Sequence, residues 1–257
     1  MRRILLLLGT MLLAFCLAGC RKPITYANPI LPDPPFGGVI FVQSAACDNN
    51  HSNPCWQTAG QTFQVTLPDN VQDGDSIKVC IYWFAAYFVN NTAVVPATPI
   101  VQDSANDSYS LVQTVQNYGS PSKFGYIFST PSVAAGGTSF QVNVTFPSPP
   151  GVQNYTAVVA LEYSGGSTLD GQASLGTLGP SPANSGPFTI SSDQDVVLSL
   201  YFGSVLNTTA CNTCNLRFTG SSFIVQDSFP PAAGTYTAQF SNPNQFGLYS
   251  VIAAAFQ

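Results

Sequence analysis

From residue 38 onward the apolar residues of this chain recur at every second position. Phe63, Val65 and Leu67 alternate with Gln64 and Thr66, and Phe140, Val142, Val144 and Phe146 alternate with Gln141, Asn143 and Thr145. Val196, Leu198, Leu200 and Phe202 do the same with Val197, Ser199 and Tyr201. A strand sends successive side chains to opposite faces, so this period predicts half-buried strands with one face in a core and one in water. Two runs, Val79 to Ala86 and Ala157 to Leu161, are apolar on both faces, which predicts central strands covered on both sides. Further strands are expected over Val39 to Gln43, Tyr109 to Val115, Phe124 to Ser129, Leu216 to Val225, Thr235 to Phe240 and Leu248 to Phe256.

No window carries a helical stripe, and Gly, Pro, Asn and Asp fall between the runs as turn formers. About a dozen strands over roughly 220 residues fit one domain. The predicted fold is all-β: a single antiparallel β-sandwich of jelly-roll type over residues 37–257. No internal repeat stands out, and two tandem small sandwiches are the structural runner-up.

The first twenty residues break this pattern. Arg2 and Arg3 precede an apolar run from Ile4 to Leu17, followed by Ala18-Gly19-Cys20. That is the layout of a secretory signal peptide, too short and too interrupted by Gly9-Thr10 for a membrane helix. Leu17-Ala18-Gly19-Cys20 resembles the lipobox of bacterial lipoproteins. The resemblance implies cleavage after residue 19 and acylation of Cys20, which becomes the new N-terminus. Arg21, in place of an aspartate after the cysteine, implies by the same resemblance sorting to the outer membrane of a diderm envelope. Residues 20–36 carry Pro23, Pro29, Pro32, Pro34 and Pro35 and read as a tether. At about 3.1 Å per residue it could lift the folded part roughly 40 Å from the membrane.

Composition narrows the partners. Charged residues make up 7% of the chain, while 45% are hydrophobic and 12% aromatic. The chain can therefore build a core, with polarity supplied by Ser, Thr, Asn and Gln. Without Arg2 and Arg3, five basic residues face twelve acidic ones, a net charge of −7. A nucleic-acid partner is excluded by this balance, because phosphate binding needs clustered Lys and Arg. Attraction to anionic lipid is excluded too, which leaves membrane attachment to the N-terminal lipid.

Three segments are similar to a recurrent extracellular β-sandwich module of bacterial secreted proteins. They are Asp103-Ser104-Ala105-Asn106-Asp107-Ser108-Tyr109-Ser110-Leu111, then Leu161-Glu162-Tyr163-Ser164-Gly165 with Leu169-Asp170-Gly171, and Ala232-Ala233-Gly234-Thr235-Tyr236-Thr237-Ala238 leading to a terminal strand at Phe256. The resemblance implies a sandwich over Val39 to Phe256 and no particular activity. The strand Gly125 to Ser129 departs from the module's pattern, and so do the cysteines.

Beyond Cys20 lie Cys47, Cys55, Cys80, Cys211 and Cys214. An exported chain meets an oxidising compartment, so disulfides are expected. Cys80, inside Ile77-Lys78-Val79-Cys80-Ile81, reads as a small buried hydrophobe. The local choice pairs Cys47 with Cys55 and Cys211 with Cys214. The first bridge would close about nine residues and stabilise by roughly 2–3 kcal/mol. A competing reading gathers Cys47, His51, Cys55, Cys211 and Cys214 around zinc. It has one ligand too many and the wrong compartment.

Candidate catalysis is thin. His51 is the only histidine and sits in a polar loop without a nucleophile elbow. Glu162, the sole glutamate, could serve glycoside hydrolysis only with a second carboxylate about 5–9.5 Å away. The alternative is a carboxylate that hydrogen-bonds a neighbouring loop. Asp73 with Asp75, Asp103 with Asp107, and Asp193 with Asp195 are acidic pairs that could offer oxygens to calcium or simply form turns. Trp56, beside Cys55, could stack on a sugar ring or act as a lid on the sandwich. The expectation is a non-catalytic, lipid-anchored envelope module with no cofactor and no resident metal. Its partner is a glycan or an envelope protein; the competitors are a lectin-like module using Trp56 and a glycan hydrolase using Glu162.

Overall fold

A computed structural model describes residues 38–48, 62–85, 88–89, 92–93, 97–117, 122–147, 156–179, 182–203, 209–220, 223–241 and 247–257. Among these residues every regular element is a strand, and every pairing is antiparallel. In chain order the strands are β1 (Ile40–Asp48), β2 (Thr62–Thr66), β3 (Ser76–Ala85), β4 (Phe88–Val89), β5 (Thr92–Ala93), β6 (Ile100–Asp103) and β7 (Ser110–Asn117). Then come β8 (Ser122–Thr130), β9 (Gln141–Thr145), β10 (Thr156–Ser164), β11 (Leu169–Gly179), β12 (Ala183–Asn184) and β13 (Phe188–Ile190). The last six are β14 (Val196–Gly203), β15 (Asn215–Thr219), β16 (Phe223–Ser228), β17 (Gly234–Tyr236), β18 (Gln239–Phe240) and β19 (Gly247–Phe256).

These strands form two five-stranded sheets, β1-β10-β3-β8-β7 and β11-β19-β14-β16-β15. A three-stranded sheet, β2-β9-β6, covers the outer face of the first; the pairs β12-β18 and β13-β17 cover the outer face of the second. The two large sheets meet through Cys80, Tyr82, Ile127, Val159, Leu161 and Tyr163 on one side and Leu198, Leu200, Phe202, Val225, Ile252 and Phe256 on the other. The core is thus three apolar seams between four layers, and the middle seam joins the halves of the chain.

The two large sheets share one strand order and one register without sharing sequence. Their strand orders match when β1, β10, β3, β8 and β7 are set against β11, β19, β14, β16 and β15. The row Ala46–Val159–Cys80–Ile127–Gln113 then falls on Ser174–Ile252–Leu200–Val225–Phe218. Even the irregularities coincide. A bulge at Val42 of β1 corresponds to one at Asp170 of β11, and a bulge at Val112 of β7 to one at Arg217 of β15. Bulges aim side chains and end pairing at sheet edges, so their recurrence at the same register marks an internal repeat. Asp73-Gly74-Asp75 before β3 matches Asp193-Gln194-Asp195 before β14.

The all-β, antiparallel expectation holds, and β3 and β10 are the doubly covered central strands that their apolar runs predict. The strands fall into several separate sheets rather than two continuous ones, and the repeat shows in their order, register and bulges. Leu216 to Val225 is two strands, β15 and β16, rather than one, and β17 and β18 divide Thr235 to Phe240. Strand β14 was expected half-buried, yet all eight of its residues are buried. Its outer face, including Val197 and Tyr201, lies under β12, β13, β17 and β18.

The seam closes because the repeats differ where they would collide. Gly125 on β8 pairs with Tyr82, while its counterpart Phe223 on β16 pairs with Phe202. Tyr82 stacks on Phe223 at 5.6 Å between ring centroids and leans on Phe202 at 5.4 Å. A Cβ at Gly125 would stand 2.3 Å from Phe202 Cε1. Overpacking of this kind costs about 1–3 kcal/mol, so Gly125→Ala is expected to lower the unfolding free energy by that amount, read as a lower urea midpoint with the denaturant slope unchanged. An unshifted midpoint would contradict this packing.

Candidate functional site

The chain has few charges, and several of the described ones lie in buried clusters. Glu162, at the end of β10, is 0% exposed. Gln43 Nε2 donates to its Oε2, and the Gln72 amide donates to its Oε1 at 3.2 Å. Gln43 also binds the backbone of Asp69, donating to its carbonyl at 3.2 Å and accepting from its amide at 2.7 Å. Glu162 therefore pins the loop between β2 and β3 to the sheet. Burial raises its pKa above the usual carboxylate range; the amides counter this, and hydrogen-bonded Asp75 adds to it. Two carboxyls in direct hydrogen-bond contact are closer than the about 5 Å that the narrowest glycosidase pair keeps. The geometry is that of a loop anchor, the alternative open for Glu162 in the sequence.

Across the middle seam lies a second cluster. Asp227 on β16 is 0% exposed. Its Oδ2 accepts from Tyr163 OH at 2.8 Å and from Arg217 Nε at 2.7 Å, and its Oδ1 from Asn215 Nδ2 at 3.0 Å. The Arg217 guanidinium in turn lies 3.4 Å over the ring of Phe41. Tyr163 and Phe41 belong to the first repeat and the rest to the second, so one carboxylate ties the halves together. Lys78 is on the same seam, 0% exposed. Its Nζ donates to Ser129 Oγ at 2.7 Å and to the Gly166 carbonyl at 2.6 Å, and stands 4.0 Å above the Phe256 ring. Burial lowers its pKa to about 7.

The third cluster is at the end of the second repeat. Asp195 is 0% exposed, and neither of its carboxylate oxygens has a partner in hydrogen-bonding geometry. Burial, then contact with the Asp170 carboxyl, pushes it up to about 7; the Ser192 amide pulls weakly the other way. Asp170 accepts from the amide of Ser191 and, at 2.7 Å, from its hydroxyl. Burial alone would raise Asp170, but Asp195 and these Ser191 donors hold it below the usual range. Residues flanking both aspartates (Thr168, Ser192 and Gln194) line a half-open cavity of about 310 Å³ together with Val39, Gly166 and Gln257.

The other acidic pairs shape turns and tie loops. Asp103 Oδ1 accepts from the amides of Ala105 and Asp107 at 2.9 and 3.0 Å, and its Oδ2 from Tyr109 OH at 3.0 Å. Asp73 Oδ1 accepts from the Gly136 amide at 2.6 Å. Cys211 and Cys214 form the expected disulfide, their Cα atoms 5.1 Å apart in the turn before β15. Cys80 is a free, fully buried thiol whose pKa burial pushes up. Cys47 is disulfide-bonded, while Cys55, its expected partner, lies outside the described residues. Oxidation of Cys47, Cys211 and Cys214 removes the thiolates that the zinc reading required. Among the described residues no three His, Cys, Asp or Glu side chains gather as a metal site. Cys20, His51 and Trp56 also lie outside the described residues. The sequence reading missed Lys78 and the Asp227 cluster. A lysine inside the apolar run Ile77 to Ile81 was the available signal for Lys78.

No family model matches the chain, and neither a curated protein nor a solved structure matches it.

Proposed function

We propose that the chain is an exported lipoprotein, acylated at Cys20 and held to the cell envelope by that lipid. On this reading residues 37–257 are one folding unit that acts without catalysis as a binding or surface-forming module, and Arg21 directs it to the outer membrane. What carries the non-catalytic reading is the use of the scarce charges. Lys78, Glu162 and Asp227 point inward and serve as ties between loops, strands and repeats.

A carbohydrate-binding reading draws on one specific face. The outer side of β2-β9-β6 presents Thr62, Thr145 and Ile100 in one row and Gln64, Asn143 and Gln102 in the next. Gln64 Nε2 bridges Gln141 Oε1 at 2.8 Å and Asn143 Oδ1 at 3.1 Å, and the hydroxyls of Thr62 and Thr145 meet at 3.1 Å. These rows contain no charged side chain and their amides are already oriented, which suits a neutral, hydroxyl-rich ligand.

Cys20→Ser tests the anchoring. In a bacterial host fed labelled palmitate, the wild-type chain is expected in the membrane fraction with label and the variant in the soluble fraction without it. A wild-type chain recovered soluble and unlabelled would overturn the lipoprotein reading.

A further inference from the structure

We propose that Asp170 and Asp195 form a calcium site in the second repeat. The internal repeat supplies the argument, because it shows what the same position looks like when it is satisfied. In the first repeat Asp75 meets Glu162, and the amides of Gln43 and Gln72 serve that carboxyl pair. In the second repeat the counterpart of Asp75 is Asp195, while Glu162 is replaced by Ala255 and Gln43 by Gly171. The Gln43 amide and the Glu162 carboxyl are gone, and the Ser192 amide, counterpart of that of Gln72, acts on Asp195 only weakly and from outside hydrogen-bonding geometry. No side chain fits at Gly171, since a Cβ there would stand 2.1 Å from the Thr189 carbonyl oxygen.

The partner that appears instead is Asp170, at the bulge position held by Val42 in the first repeat. It brings a second carboxylate to the first. The strong local donors, the amide and hydroxyl of Ser191, both go to Asp170. Asp195, fully buried, keeps two oxygens without a partner. A proton shared between the two carboxyls would satisfy one of those oxygens and leave the other dry, which costs about 1–3 kcal/mol. A divalent cation answers both and cancels the paired charge. Asp103, by contrast, has both oxygens occupied by N–H and O–H donors, and Asp73 is exposed to water, so neither has such a need.

All atoms on offer are oxygens, which selects a hard cation. The site sits at a strand bulge and a loop rather than in an octahedral cage, which favours calcium, with its variable coordination, over magnesium. With two carboxylates and the remaining ligands from hydroxyl, carbonyl and water oxygens, the expected dissociation constant is about 0.1–1 mM, the range of extracellular calcium modules.

Isothermal titration of calcium into the purified, EDTA-stripped full chain tests this. One ion per chain is expected, together with a melting temperature higher by about 3–6 °C in 10 mM calcium. Magnesium at the same concentration should do less. Asp170→Asn should remove the calcium response while its near-ultraviolet circular dichroism in EDTA stays that of the wild type. Asp107→Asn, at a carboxylate that already accepts from the Ala134 amide, should keep the response and so control for general charge loss. A flat titration with an unmoved melting temperature in the wild type would overturn the proposal, as would one-to-one binding that survives in Asp170→Asn.

Discussion

Asp227→Ala is expected to lower the unfolding free energy by about 3–5 kcal/mol, the usual result of breaking a buried ion pair from one side. The size follows from what is left behind. Arg217 Nε, Asn215 Nδ2 and Tyr163 OH all give their hydrogen bonds to this carboxylate. The Arg217 side chain is only 10% exposed, so water cannot replace the lost charge. Tyr163→Phe removes a single donor and should cost about 1–2 kcal/mol. Urea titrations compare the two; equal losses, or an Asp227→Ala midpoint within error of the wild type, would contradict the assignment of Asp227 as the tie between the repeats.

The second large effect is a pH dependence set by Lys78. Its folded pKa is about 7 against 10.5 for the free side chain. Between those values the unfolded chain holds a proton that the folded chain has released, so the unfolding free energy rises with pH across that window. Below pH 7 the penalty is constant. Full development of the slope gives about 1.4 kcal/mol per pH unit, hence on the order of 3 kcal/mol from pH 7 to pH 9.5. Above pH 10 the sign reverses. Burial pushes the Tyr82 and Tyr126 hydroxyls above their usual range, and their retained protons make stability fall as pH rises. Urea midpoints at pH 7 and 9.5 should differ in the wild type and lose most of that difference in Lys78→Met. A wild-type midpoint independent of pH in this window would show that the ammonium, held by Ser129, Gly166 and the Phe256 ring, stays charged in the folded protein.

Period-two alternation made β2 and β9 legible, because each has one face in a seam and one in water. The same alternation misled at β14. Its cover comes from strands of two or three residues, β12, β13, β17 and β18, which are too short to show a period of their own. Strand β11 escaped for a different reason. Its sequence, with three glycines among eleven residues, has little intrinsic strand preference, and its extended form comes from pairing along the length of β19. The repeat stayed hidden because, apart from the Asp-x-Asp before β3 and β14, its preserved features are registers and bulges, which leave no residue-type signature. Val42 corresponds to Asp170 and Val112 to Arg217, pairs that no sequence comparison would align. The loop-anchoring reading of Glu162 was available from its place at a strand end. The Asp227 cluster was not, because reading Leu216 to Val225 as one strand hid the hairpin that sets Asp227 beside Arg217.

The central claim is that the two repeats share one core and fold as one unit. The middle seam places Tyr82, Tyr163, Leu198 and Phe202, all buried, between the halves, so neither half can lose its partner without exposing aromatic and aliphatic surface. Scanning calorimetry of the full chain tests this directly. One transition is predicted, with equal calorimetric and van't Hoff enthalpies, moved as a whole to lower temperature by Asp227→Ala. Two resolved transitions in the wild type, only one of them shifted by Asp227→Ala, would contradict the account.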